Sequence, residues 1–263
     1  MNKIIQQLHS HRSIRKYKNR EVPEDLLNQI LEAATAASTS GNMQAYSIIV
    51  TKCHKQKEKM LDAHFNQSML MDAPIFLTFC ADFYRMRSWL RVSNAANNFD
   101  NFMSFMIASI DAILASQNAA IAAESLGLGL CYMGTTLASA KQIGEVLELP
   151  ENVIPVVGFS LGYPDEKPEE RKRLGLRSIV HREKYHKYSD KEIKEIYRSK
   201  NDEGIKRYLN VPELRARIDN EDIKNLAQIY TQLKYTEDSH IRYSDDLMKY
   251  LMSQHFIQQK IVN

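Results

Sequence analysis

The sequence predicts an α+β fold in which a mixed β-sheet is surrounded by helices. Short segments rich in β-branched and aromatic residues predict strands, and segments with apolar residues three and four positions apart predict helices between them. The strands are spaced irregularly along the chain, which favours a mixed sheet over a regular parallel one. The predicted strands cover residues 46–51, 74–81, 130–133 and 153–162.

Two helices stand out among the helical segments. Pro23, Glu24 and Asp25 open the first, because proline suits the first helical turn and carboxylates complement the helix dipole. The second covers residues 104–126, is apolar nearly all round and is rich in alanine. That composition predicts a helix buried in the middle of the protein or of a dimer.

The composition is that of an ordinary globular protein. Of the 263 residues, 44% are hydrophobic and 25% are charged, and a net charge of +3 is too small to favour a nucleic acid partner. No apolar stretch predicts a membrane partner. Cys53, Cys80 and Cys131 are far apart and lack the CxxC spacing of a zinc site. We therefore expect reduced thiols, no bound metal and a cytoplasmic protein.

The composition changes after residue 184, where charged residues dominate. Apolar residues there form thin stripes, which predict amphipathic helices. Such narrow stripes bury too little surface to fold alone. We therefore expect a charged helical extension over residues 184–263 that wraps a domain or a second subunit.

The densest candidate chemistry lies at residues 11–17. His11, Arg12, Ser13 and Arg15 place an imidazole, two guanidiniums and a hydroxyl within five positions. Guanidinium groups match the oxygens of a phosphate, and a hydroxyl adds a further bond. The run predicts a phosphate site, and its alternative is a solvated basic arm.

Three further segments carry candidate binding chemistry. Residues 38–44 are a polar turn with hydroxyls and amides that can hold a polar ligand, or an ordinary loop that ends a helix. Residues 127–136 contain three glycines, which allow close approach to a flat ligand or simply a tight turn. Residues 171–173 are cationic and suit either a ligand or solvent. The sequence contains neither a Rossmann nor a P-loop motif.

Together these segments resemble the nitroreductase family of FMN-dependent nitroreductases and flavin reductases. The resemblance runs in order through residues 11–17, 38–44, 117–129 and 155–164. The long tail that follows is similar to that of the larger NADPH-preferring members. The resemblance implies a single nitroreductase-like domain over residues 1–263, in an intertwined homodimer whose C-terminal extensions wrap the partner.

The resemblance also implies two FMN sites at the subunit interface. The implied phosphate ligands are His11, Arg12, Ser13, Arg171 and Arg173. Several cations at one point are reasonable, because a phosphate carries close to two negative charges. Arg15 would lie near the pyrimidine end of the flavin. The other implied residues are Thr39, Ser40 and Gln67 at the ring or ribityl chain, Gln44 from the other subunit, and Tyr132, Met133, Gly134 and Thr135 along the ring.

The implied activity is that of an NAD(P)H oxidoreductase reducing nitroaromatics, quinones or free flavin by ping-pong hydride transfer. Because the flavin supplies the electron chemistry, we expect no side chain to be an essential acid, base or nucleophile. Two alternatives stay open. One is a specialised member acting on a single substrate, such as a dehalogenase or a flavin-consuming enzyme. The other is a flavin-binding or adaptor protein without turnover.

Two features depart from the family pattern. Thr135 stands where the family often has a second glycine, so a side chain narrows the pocket there. Residues 199–239 contain no match to the family's arginine-rich loop for the 2′-phosphate of NADPH. The preference between NADPH and NADH is therefore left open.

Overall fold

The computed structural model describes residues 2–257. Within that range the strands are β1 (Tyr46–Thr51), β2 (Ile75–Asp82), β3 (Gly129–Tyr132) and β4 (Val153–Gly162). The α-helices are α1 (Lys3–Ser10), α2 (Glu24–Thr35), α3 (His54–Leu61), α4 (Met69–Asp72), α5 (Tyr84–Val92), α6 (Phe102–Ser125), α7 (Thr135–Ala138), α8 (Ala140–Val146), α9 (Asp190–Leu209), α10 (Pro212–Asn220), α11 (Leu226–Gln228) and α12 (Glu237–Ser253). Short 3₁₀ turns lie at Ser40–Asn42 and Leu176–Ser178, and π-helical turns follow α11 at Ile229–Lys234.

The strands form one sheet in the order β1-β2-β4-β3, and each neighbouring pair is antiparallel. The predicted α+β class is confirmed. The mixed pairing predicted for the sheet is corrected: irregular strand spacing does not fix strand direction, and all three neighbouring pairs among the described strands are antiparallel. β1 and β4 begin and end at the predicted residues, whereas β2 and β3 are shifted by one position. Every residue of β2 is buried, as expected of a central strand that is apolar on both faces. In the described range, the parallel pairing is limited to an isolated bridge between Ser13 and Leu130.

Helix α6 lies across the sheet and against α2. Its inner face is lined by alanines, which let the backbones approach closely: Ala108, Ala112, Ala115, Ala119 and Ala123 are all fully buried. The predicted burial of this helix is confirmed on this face. By length and composition alone the helix is apolar enough to cross a membrane, but half of its most apolar stretch is buried inside the protein. The same composition is therefore accounted for by its place in the core.

Residues 11–17 run beside β3 at the edge of the sheet. Ile14 N donates to Leu130 O at 2.9 Å, and Lys18 N donates to Tyr163 O at 2.9 Å. A Cβ added to Gly129 would lie 2.6 Å from Ile14 Cγ1, so the close approach depends on that glycine. Three of the sequence motifs, at residues 11–17, 127–136 and 155–164, therefore meet at this edge.

The chain divides into two compact units, and the boundaries follow Glu170 and Arg242. The first unit holds the sheet and helices α1 to α8, and it includes the second half of α12. The second unit holds helices α9 to α11, which share a small core of Ile218, Ile223, Leu226 and Ile229. The prediction that residues 184–263 wrap a partner stays a prediction; the described part of that range is helical over most of its length.

We expect Gly129→Ala to lower the free energy of unfolding by about 1–3 kcal/mol, because the added methyl overlaps Ile14 and Pro164. Gly175→Ala is the matched control, since a Cβ there meets nothing within 4 Å, and its effect should stay within about 0.5 kcal/mol. Urea unfolding of both variants measures the difference. Equal midpoints for the two variants would contradict the packing of residues 11–17 on β3.

Candidate functional site

The backbone of the cationic segment is fixed by buried and charged partners. Glu166 Oε1 accepts a hydrogen bond from Arg15 N at 2.5 Å. The buried Tyr17 hydroxyl donates to Ile14 O at 2.6 Å and shares a hydrogen bond with Ser160 Oγ at 2.7 Å. Burial raises the pKa of Tyr17, so its phenol stays protonated and able to donate. The segment is therefore held in one conformation before any ligand binds.

The side chains of this segment carry donors that are only partly used. His11 Nδ1 lies 2.6 Å from Glu124 Oε1, and Arg12 Nη2 donates to Glu170 Oε1 at 2.6 Å. Arg12 Nε is buried and has no hydrogen-bond partner within residues 2–257. A buried donor without an acceptor is costly. An anion with several oxygens, bound beside the half-buried Ser13, would supply that acceptor.

The polar turn of residues 38–44 is tied to helix α6 by the carboxylate of Asp111. Ser40 N donates to Asp111 Oδ1 at 2.9 Å, and Ala45 N donates to Asp111 Oδ2 at 3.3 Å. Asp111 is 0% exposed; its bond with Ala45 N is buried, and its bond with Ser40 N is partly buried. Thr39 Oγ1 is buried and finds no partner in the part of the chain that the structure describes. The turn is thus fixed at both ends and retains a free hydroxyl.

The outer side of the same turn faces solvent. Gln44 is exposed, with a φ of 54°, and Arg85 Nη2 donates to its carbonyl at 2.6 Å. The turn borders a surface hollow of about 310 Å³, which Met86 and Trp89 also line. An exposed Gln44 is what a residue reaching a neighbouring subunit requires.

Residues 132–135 lead from the last residue of β3 through the exposed Gly134 to the first residue of α7. Met133 N donates to Gly158 O at 2.9 Å, and Tyr132 OH donates to Ser116 Oγ at 3.1 Å. Burial raises the pKa of Tyr132, which keeps this hydroxyl protonated. A Cβ added to Gly134 would meet nothing within 4 Å. A rigid backbone beside unoccupied volume suits the face of a flat ring.

A buried histidine contacts the end of residues 132–135, which we call the strip. His64 Nδ1 lies 2.7 Å from Thr135 Oγ1, and burial lowers the pKa of His64 to about 4. The ring is therefore neutral near pH 7. His64 also starts the turn that leads to Gln67, whose N–H donates to His64 O at 3.2 Å. The predicted residues Gln67 and Thr135 are thus connected through a side chain that the sequence did not single out.

Arg171 and Arg173 lie in the second unit, where both side chains are exposed. Their neighbour Lys172 donates to Glu203 at 2.8 Å within that unit. The role of the two arginines beside the first unit's donors stays a prediction. The other predicted site residues belong to the first unit, where hydrogen bonds connect their segments to the sheet or to α6.

Three residues that fix this geometry are absent from the sequence-predicted site: Asp111, His64 and Glu166. Asp111 did give a signal, because it is an acid in the middle of the most apolar part of the helix. A buried carboxylate needs donors, and nearby loops are the usual source. His64 and Glu166 gave none, because their partners Thr135 and Arg15 are 71 and 151 positions away.

We compared the sequence with models of known protein families. The sequence model of the nitroreductase family matches residues 8–163, which include the cationic segment, the polar turn and the sheet. The chain belongs to the nitroreductase family.

Particular relatives cover most of the chain. An FMN reductase (NADPH) from Bacillus subtilis is 34% identical over 192 residues, which are 72% of this chain and 77% of the relative. An NADPH-dependent oxidoreductase from Staphylococcus aureus is 32% identical over 204 residues, 76% and 80% of the two chains.

Solved structures give the same fold over nearly the full length. An oxidoreductase from Bacteroides fragilis has a TM-score of 0.88 and 38% identity, with 96% of this chain and 100% of that chain covered. NADPH:FMN oxidoreductase from Vibrio harveyi, solved with NAD⁺, has a TM-score of 0.79 and 27% identity, with 98% and 100% covered.

We expect Asp111→Asn to lower the free energy of unfolding by about 1–3 kcal/mol, because the amide NH₂ would face a backbone N–H and leave it without an acceptor. Hydrogen exchange at Ser40 N and Ala45 N should accelerate selectively, which is measurable by NMR or mass spectrometry. Asp62→Asn is the control: Asp62 is exposed and accepts from Gln142 at 3.1 Å, so little should change. Unaltered exchange at both amides in Asp111→Asn would refute the role given to Asp111.

Proposed function

We propose that this chain is an FMN-dependent NAD(P)H oxidoreductase that reduces nitroaromatics, quinones or free flavin in a ping-pong reaction. Relatives at 34% and 35% identity are named FMN reductases that use NADPH or NAD(P)H. The observation that carries the proposal is the bridge between Ser13 and Leu130. It places a cationic segment suited to a phosphate next to a strand that leads into a glycine-containing strip suited to a flat ring.

The residues of the first unit fit FMN by their chemistry. The unsatisfied Arg12 Nε is a donor for a phosphate oxygen, and the unsatisfied Thr39 Oγ1 suits the hydroxyls or polar edge of a flavin. The open space at Gly134 admits a ring. The residues that would hold FMN are His11, Arg12, Ser13 and Arg15, Thr39, Ser40 and Gln67, Tyr132, Met133, Gly134 and Thr135, with Arg171, Arg173 and the partner subunit's Gln44.

A bound FMN would supply the redox chemistry that links oxidation of NAD(P)H to reduction of the acceptor. The side chains bind and orient the participants. Arg15 would place a fixed positive charge at the pyrimidine end, where negative charge develops on reduction. Tyr17 and Tyr132 are kept protonated by burial and hold their backbone and side-chain partners in place. No side chain is assigned as an acid, base or nucleophile.

A homodimer is part of the proposal, and the outer face of α6 supports it. Opposite the buried alanines, this helix exposes a continuous apolar stripe: Met103, Met106, Ile110, Ile113 and Leu114 are 40–66% exposed. α1 adds three further exposed apolar residues, Ile4, Ile5 and Leu8. Contiguous apolar surface of this kind marks a protein–protein interface. In a two-fold dimer, the same stripe on each subunit covers the other.

The proposed dimer gives two further features a role. Gln44 is exposed, where it can reach a partner's cofactor, and the largely exposed helices α9 and α10 of the predicted extension are available to wrap the partner. We also propose a cytoplasmic location. Cys53 is exposed, Cys80 and Cys131 are buried, and none of the three forms a disulfide within residues 2–257, which suits a reducing compartment.

The enzyme is tested by the colour of the purified protein. We expect a yellow preparation that NADPH or NADH bleaches without oxygen, and that a nitroaromatic, a quinone or free FMN recolours. Arg15→Ala should weaken FMN retention or slow bleaching about tenfold, because it removes the charge at the pyrimidine end. Lys16→Ala is the matched control, since it removes the neighbouring exposed cation.

Two results would count against this function. A colourless protein that takes up no FMN would contradict it outright. A yellow protein that neither coenzyme bleaches would point to the non-catalytic flavin-binding alternative. If Arg15→Ala matches wild type in flavin content and bleaching rate, Arg15 does not belong to the flavin site.

The homodimer is tested by a charge placed in the middle of the α6 stripe. Ile110→Asp should convert a dimer into a monomer at micromolar concentration, because a carboxylate would be buried at the interface without a partner. Size-exclusion chromatography with light scattering measures the mass. Lys141→Gln lowers the net charge by the same one unit on the exposed side of α8 and should remain dimeric. A dimeric Ile110→Asp protein would exclude this face as the interface.

A further inference from the structure

The hydrogen bond between His64 and Thr135 joins two segments of the proposed flavin site. His64 begins the turn that leads to Gln67, and Thr135 ends the strip of residues 132–135. The imidazole is 0% exposed, and its ring meets Phe76 edge to face at 4.9 Å. Phe76 belongs to the central strand β2, so the histidine is anchored on the sheet.

The surroundings of His64 also indicate which ring nitrogen carries the hydrogen. His64 Nε2 is buried and has no hydrogen-bond partner among the described residues. A buried N–H without an acceptor is rarer than a buried lone pair without a donor. We therefore assign the hydrogen to Nδ1, from which it is donated to Thr135 Oγ1.

This assignment leaves the Thr135 hydroxyl hydrogen unused. Thr135 Oγ1 accepts from His64, and residues 2–257 provide no acceptor for its own hydrogen. Thr135 follows Gly134, beside which the space is open. A group bound beside Gly134 would lie next to the residue that carries this oriented hydroxyl donor.

We propose that His64 is a positioning residue of the flavin site, which fixes the side chain of Thr135 and leaves its hydroxyl hydrogen for an acceptor atom of the bound flavin. The inference rests on the proposed function, because the contact between residues 132–135 and the ring is part of it. Thr135 occupies a position at which the family often has glycine. The added side chain needs a support that glycine does not, and His64 provides it from the core.

The test uses the FMN-loaded protein and four variants. His64→Leu removes the donor, Thr135→Val removes the hydroxyl at nearly constant shape, and the double variant removes both. His64→Asn keeps an amide N–H near the position of Nδ1. The measurements are the FMN dissociation constant, from flavin fluorescence on dilution, and the visible absorption spectrum of the bound flavin.

We expect His64→Leu and Thr135→Val each to weaken FMN binding about five- to tenfold and to change the spectrum in the same way, because each removes the oriented donor. The double variant should be no weaker than either single one, since the two residues act through one bond. His64→Asn should recover affinity to within about twofold of wild type. Recovery of FMN affinity in His64→Asn would show that the N–H donor at residue 64 matters and that the volume of its side chain does not.

Lys57→Met is the control for a purely structural effect. Lys57 lies in α3 and is also buried. Its Nζ donates to Met71 O at 3.1 Å and to Ala73 O at 2.6 Å. Its loss should lower stability without altering the bound flavin's spectrum. If Lys57→Met changes the spectrum as His64→Leu does, the effect reports general loosening and the inference fails.

Other outcomes overturn the inference but not the proposed function. Additive losses in the double variant would show that the two residues do not act through one bond. Wild-type affinity and spectrum in Thr135→Val would show that the hydroxyl has no role at the flavin. In both cases a yellow wild-type protein that NADPH or NADH bleaches would still support the oxidoreductase. A wild-type protein that binds no FMN would remove both.

Discussion

The site depends first on the pairing of residues 11–17 with strand β3. Ile14 N bonds Leu130 O at 2.9 Å, and this contact brings a segment near the N-terminus to the edge of a sheet whose strands come much later. The approach is sterically possible because Gly129 has no side chain. Without the pairing, the guanidinium and hydroxyl donors of residues 11–17 would belong to a flexible N-terminal segment. With it, they hold a fixed position relative to residues 132–135.

Buried polar groups extend this rigidity to the other segments. Asp111 holds the polar turn, Tyr17 holds the cationic segment, and His64 holds Thr135. Each is costly to bury unless it is hydrogen-bonded, so each commits two distant segments to one arrangement. Two of the buried donors left unsatisfied, Arg12 Nε and Thr39 Oγ1, lie on the segments that are held in this way. A framework that is fixed in advance loses less entropy when its ligand binds.

The sequence was informative where local patterns decide the structure. Strands β1 and β4 and the core helix α6 were predicted closely, because apolar periodicity and β-branched content suffice there. Helices α1 and α3 were not predicted. α3 buries only Lys57 and Met60, so it lacks the apolar stripe that periodicity detects. α1 has apolar residues at Ile4, Ile5 and Leu8, but it is only eight residues long and buries none of them.

The residues of the candidate site also differ in how far the sequence predicts them. The donors at residues 11–17 were visible as a cluster of residue types, and the family resemblance arranged the other segments in order. The supports were not visible, because a hydrogen bond between residues 71 or 151 positions apart leaves no local pattern. Asp111 lies between these cases. Its charge was conspicuous in an apolar helix, but the amides it binds, at residues 40 and 45, are set by the tertiary fold.

Helix α6 connects the proposed interface with the proposed cofactor site. Ile110 is 50% exposed in the middle of the apolar stripe, and the next residue, Asp111, is fully buried and holds the polar turn. One turn of helix therefore faces the proposed partner on one side and the Ser40 amide on the other. A shift of the helix by an ångström would lengthen the bonds at Asp111 well beyond hydrogen-bonding range. Covering the stripe by a second subunit would hold the helix in register, so association and cofactor binding are expected to stabilise each other through this one element.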